Sequence, residues 1–193
     1  MARTEWTFLR SVAPNERCLS VERLKNAIRL SQDDDKLDET LLMYIDAATG
    51  QVEHDTAMAL LTQTWVYGRD AFNGRYRFFD LPKRPATEIV SITYFDDEGQ
   101  QQTFPAESYR LDQGRNQVVL QHNFSWPADV QDQIEVTFLA GYATPANVPA
   151  ELVQAVALQC GKWVDNPTMD MPSGIGDAPY EMLVGRYMRS DYP

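Results

Sequence analysis

This chain is poor in the residues that usually betray chemistry. Its 193 residues include only two cysteines and two histidines. Two cysteines do not make a disulfide framework. A Cys18–Cys160 bridge stays open, but nothing demands it, and Cys160 falls on the apolar side of a predicted helix, where a thiol acts as a small hydrophobe. His54 and His122 lie on different elements, without the Cys or carboxylate spacing that marks zinc. A serine triad would need one of them beside an exposed nucleophile, and no G-x-S-x-G occurs. The glycines of Gly174-Ile175-Gly176 follow no strand and precede no G-K-[ST], so they read as a turn rather than a phosphate loop. No apolar run approaches the ~20 residues of a membrane span. The first residues lack the apolar core and cleavage site of a signal peptide, so a cytoplasmic origin is expected. Basic residues are scarce: 17 Lys and Arg stand against 28 Asp and Glu, a net charge of −11. Gripping DNA needs clustered cations, which are missing. The acidity fits solubility, or a surface that lets DNA pass without holding it; composition does not choose between them.

What is present is a globular pattern. With 44% hydrophobic and 23% charged residues, the chain can build a real core. Residues 1–17 read as an N-terminal arm whose Trp6, Phe8 and Leu9 are too apolar for a solvated tail; they would dock on the domain or on a neighbour. Ser20 can cap a short helix carrying Val21, Leu24 and Ile28. Asp33, Asp34 and Asp35 form a loop before a second helix, with Leu37, Leu41, Tyr44, Ile45, Ala48 and Val52 at helical spacing. An EF-hand beginning at Asp33 would want glycine at its sixth position and glutamate at its twelfth, where Asp38 and Tyr44 stand, so that match fails and a capped, solvated acidic loop is expected. Gly50 inside the helix suggests a close helix contact.

From Leu60 the period changes to that of strands. Asn73-Gly74-Arg75 is a hairpin-turn signal between one strand and Tyr76–Leu81. Glu88–Asp96 follows, then a turn at Asp96-Asp97-Glu98-Gly99; a turn tip explains these acids better than a glycosidase pair does. Ser108–Asp112 and Asn116–Gln121 flank another turn. The aromatics Tyr67, Phe72, Tyr76, Phe78, Phe79, Tyr94 and Phe95 concentrate here, and core or interface packing explains them better than base stacking.

Residues 134–166 are the clearest stretch. A buried strand stops at Gly141, and Pro149 opens an amphipathic helix with Leu152, Val153, Val156, Cys160 and Val164 on one face. A Pro/Gly-rich loop precedes a short last helix. Arg186, Tyr187, Met188, Arg189 and Tyr192 then make a terminal tract rich in the residue types that interfaces favour; the alternative is a frayed terminus. The expected fold class is α+β. A small bundle of N- and C-terminal helices (20–56 and 149–165, with a short final helix at 179–189) holds an inserted antiparallel β-sheet or sandwich at 60–141. Residues 18–190 would be a single domain, followed by a tail at 187–193. Leu41, Ile45, Val153, Val156 and Trp163 are expected to pack its core.

Residues 19–53, 60–67, 81–104, 108–112, 134–166 and 179–187, in that order and spacing, resemble the head–tail connector (adaptor) family of tailed bacteriophages, in its long form with a β-rich insert. One departure is Ala57, where the corresponding helix end often carries a glycine-based stop. The resemblance implies a virion protein without catalysis or cofactor, made in the host bacterial cytoplasm and located in the neck at the capsid's portal vertex. Such proteins form a ring, usually dodecameric, under the portal protein. The ring extends the DNA channel, through which DNA passes without sequence-specific binding, and docks the next neck or tail protein. On that basis Arg186, Tyr187, Met188, Arg189, Tyr192 and Pro193 are the candidate portal interface. Trp6, Phe8, Leu9, Phe78 and Phe79 are candidates for ring or neck contacts. The competing readings are another neck component, for head closure or tail completion, and a carboxylate-dependent hydrolase.

Overall fold

The computed structural model describes residues 8–33, 35–69, 76–127, 130–167 and 178–188. The chain divides into two compact units. One comprises residues 1–14 and 62–141, the other residues 15–61 and 142–193. The fold is α+β, with the helices in the second unit and the antiparallel sheets in the first.

The helical unit begins with α1 (Val21–Ile28). The Ser20 side chain accepts from the Arg23 N–H at 3.3 Å, satisfying one of the donors a helix start leaves open. Arg29, at φ 61°, ends the helix. Helix α2 (Asp38–Thr56) follows, then α3 (Ala150–Asp165), entered through Pro149, and α4 (Ala178–Val184), which tightens into a 3₁₀ turn at Gly185–Tyr187. Leu24, Leu41, Ile45, Val52, Leu152, Val156 and Cys160 form one fully buried cluster. Lys25 is drawn into this unit with its stem buried and its ammonium on Asp38 at 2.5 Å.

The close helix contact expected at Gly50 lies elsewhere, at a glycine that the sequence does not single out. A Cβ on Gly50 would meet nothing within 4 Å, so Gly50 marks no close contact. A Cβ on Gly161 would lie 3.2 Å from Ile28 Cγ2, so α1 and α3 approach there instead. Helix α2 does stop at Ala57, and the alanine takes the left-handed conformation (φ 53°) that glycine adopts without strain.

Among the described residues the β unit holds eight strands: β1 (Phe8–Val12), β2 (Gln63–Arg69), β3 (Phe78–Asp80), β4 (Ala86–Phe95), β5 (Gln101–Thr103), β6 (Tyr109–Asp112), β7 (Gln117–Leu120) and β8 (Gln131–Ala140). One sheet runs β1-β2-β8-β4-β5 and the other β3-β7-β6. The signal at residues 73–75 does not produce a hairpin between its flanking strands. Those three residues lie outside the described residues; β2 pairs with β1 and β8, and β3 pairs with β7. Hairpins form where tight turns are flanked by matched strands, at β4–β5 and β6–β7. Strand β4 loses strict alternation because its pairing with β8 shifts register three times, so Ile92 is buried while Val90 is exposed. Ile92, Ile134, Val136, Phe138 and Val118 are fully buried in this unit. Strand β8 ends at Gly141, whose φ of 117° suits only glycine.

Asn116 ties the β6–β7 turn to the segment before β4. It is buried at φ 58°; its Oδ1 accepts from the Ala86 N–H at 2.7 Å, and its Nδ2 donates to the Leu81 and Lys83 carbonyls at 2.9 and 3.0 Å. Asparagine tolerates the left-handed conformation better than other side chains, and its amide serves both donors and acceptors.

Candidate functional site

The geometry around the C-terminal segment starts at α4. Tyr180 is buried, and its hydroxyl donates to Asp55 Oδ2 at 2.6 Å, which fastens α4 to the end of α2. Burial, and then the neighbouring Asp55 carboxylate, push the Tyr180 phenol well above its usual range. One turn on, Arg186 Nη1 donates to Glu151 Oε1 at 3.0 Å, and the Tyr187 hydroxyl donates to Oε2 of the same carboxylate at 3.3 Å. Glu151 stands in the first turn of α3. Its own backbone N–H, followed by Tyr187 and Arg186, holds its carboxyl below the usual range, although partial desolvation opposes this. Burial, reinforced by Glu151, raises the Tyr187 phenol. Met188, the next residue, is 43% exposed.

The structure therefore places Arg186, Tyr187 and Met188 together beside α3, while Arg189, Tyr192 and Pro193 lie outside the described residues. Trp6 also lies outside them. Phe8 and Leu9, which the sequence assigns to an arm, are exposed on β1 at the edge of the five-stranded sheet; Phe8 stacks on Trp65 with centroids 4.6 Å apart. Phe78 and Phe79 face opposite ways on β3. Phe78 is exposed beside Tyr76, whereas Phe79 is buried against Trp126 with Arg69 over its ring, so it is a core residue of the β unit. Leu41, Ile45, Val153 and Val156 are buried in the helical unit. Trp163 is half-buried and meets Tyr44 edge-on at 5.7 Å.

Glu151 and Asp55 escape sequence reasoning as partners of the C-terminal segment. Glu151 is legible only as an acid that suits a helix N-terminus; its contacts are 35 and 36 residues away.

Both cysteines are free and buried, and burial raises the Cys18 thiol and pushes the Cys160 thiol up to about 12. Among the described residues no group of three or more His, Cys, Asp or Glu could hold a metal ion, and no helix is long and apolar enough to cross a membrane. An open groove of about 560 Å³ in the helical unit is lined by Ile28, Ala157, Leu158, Gly161 and Pro179, with Asp165 the one carboxylate among the described residues that line it.

This arrangement, an antiparallel β unit inserted between helices that form a second unit, has close structural parallels. Similar chains occur in the neck of an empty GTA particle computed with C6 symmetry (TM-score 0.81, 23% identity, 97% of each chain covered) and in the virion of a native gene transfer agent (GTA) particle (0.78, 21%, 97% of each). Another occurs in the neck of a native GTA particle computed with C12 symmetry (0.70, 21%, 94% of this chain and 97% of that one). At these identities the likeness establishes a shared fold. No protein-family model and no curated protein matches the sequence.

Proposed function

We propose that this chain is a structural component of the neck of a phage-like particle. In this reading it is a head–tail connector that forms a ring under the portal, extends the DNA channel and docks the next neck or tail protein. The observation that carries the reading is a likeness over 97% of the chain, through both units, to a protein of a particle neck. The C6 and C12 symmetries of those necks support a ring, with twelve copies as the expected number. Arg186, Tyr187 and Met188, with the residues after them, provide the portal contact, and Phe8, Leu9 and Phe78 contribute to ring or neck contacts. A net charge of −11 suits a channel that repels phosphates and lets DNA slide. The protein acts in the virion, after synthesis in the host bacterial cytoplasm, and works through repeated subunit contacts rather than catalysis.

Another neck role, in head closure or tail completion, rests on the same likeness. The hydrolase reading has less support: among the described residues that line the groove in the helical unit, Asp165 is the one carboxylate, where that chemistry needs two. The test is to mix the purified chain with the purified portal protein of its particle and measure the mass of the complex by light scattering. A connector adds about twelve copies to each portal ring, the order of the C12 neck. A chain that ignores the portal and binds only tail proteins has another neck role.

A further inference from the structure

Arg186 and Tyr187 each take one oxygen of a single carboxylate, at 3.0 and 3.3 Å. The two donors sit on a rigid mount: Tyr180 pins α4 through Asp55, and the Met188 N–H closes the turn onto the Val184 carbonyl at 3.1 Å. The carboxylate comes from a different helix, and it is open to water; the Arg186 and Glu151 side chains are 67% and 40% exposed. An exposed pair of this kind is held weakly and exchanges readily. An arginine fork beside a phenol is a specific receptor for a carboxylate, and the fork has donors beyond the one that Glu151 takes.

We propose that Arg186 and Tyr187 form a carboxylate-binding pair that Glu151 fills in the free chain, and that an acidic side chain of the docking partner replaces Glu151 when the C-terminal segment engages. This rests on the connector reading, in which the partner is the portal. Glu151 shows the chemistry that fits: two acceptor oxygens presented side by side. The exposed Met188 beside the pair adds an apolar contact, so the partner's acid belongs at the rim of an apolar recess.

The test compares binding of the full chain and the Glu151→Gln, Arg186→Gln and double variants to the purified portal protein, with thermal unfolding as a control. Glu151→Gln removes the competing charge at nearly constant shape. It should tighten binding about two- to fivefold, the range open to an exposed ion pair. Arg186→Gln should weaken binding, and the double variant should bind no better than Arg186→Gln alone. Unchanged or weaker binding by Glu151→Gln overturns the exchange; paired with a lowered unfolding temperature, it means that the carboxylate only anchors α4. If the parent chain binds the portal and Glu151→Gln gives no gain, the exchange alone fails. If neither parent nor variants bind, the connector reading fails and the exchange with it.

Discussion

The Tyr180 hydroxyl donates to Asp55 Oδ2 at 2.6 Å, joining two residues 125 positions apart in the chain. This bond ties α4 to the end of α2 and so positions the turn that carries Arg186 and Tyr187. Tyr180→Phe keeps the ring and loses the bond. It should destabilise the helical unit by about 1–2 kcal/mol, measured by urea unfolding followed by far-ultraviolet circular dichroism.

The same residue sets a pH dependence. Burial, then Asp55, raises the folded-state value of the phenol above that of the unfolded chain, which is about 10. Stability from this source is therefore complete below about pH 10 and is lost as the pH rises toward the folded-state value. The parent chain should lose stability more steeply than Tyr180→Phe in alkaline titrations. Parallel curves would show that other groups dominate.

Two substitutions, one within α2 and one at the residue that caps its end, should stabilise the protein. Ala57 carries a left-handed φ of 53°, and Ala57→Gly relieves a strain of about 1 kcal/mol. Gly50 has open space where a Cβ would go, and Gly50→Ala should gain about 1 kcal/mol of helix propensity. Each should raise the melting temperature by about 2–4 °C in calorimetry. A loss with Gly50→Ala in the isolated chain would contradict the geometry.

Asn116 is the position in the β unit where one side chain should matter most. Asn116→Ala strains the backbone and strips partners from the buried Ala86 N–H and the Leu81 and Lys83 carbonyls. It should cost about 3 kcal/mol or more, whereas Asn116→Gly, which tolerates φ 58°, should be milder by about 1 kcal/mol. Urea unfolding monitored by the near-ultraviolet signal of the β-unit aromatics would rank the two.

The elements themselves were legible wherever their signals are local. Ser20 marks the start of α1, Pro149 leads into α3, and the turns at residues 96–99 and 112–115 close real hairpins. Pairings between distant strands were not legible. Phe8 opposite Tyr67, Trp65 opposite Phe138 and Phe78 opposite Val119 depend on which surfaces the whole sheet can bury, and no turn residue encodes that. The bulges of β4 are hidden for the same reason, because each is a property of the pair β4–β8 and not of either strand. Of the candidate interface, the Tyr/Met/Arg composition of the terminal tract could be read, but its attachment could not. Glu151 reads as a helix-start acid, and only the folded chain brings Arg186 and Tyr187 to it.

Cryo-electron microscopy of the intact particle tests the central claim most directly. The account predicts a ring of this chain between the portal and the next neck protein, enclosing the DNA channel, with residues from Arg186 onward against the portal. Density for the chain away from the portal, in the tail or on the capsid shell, would contradict it.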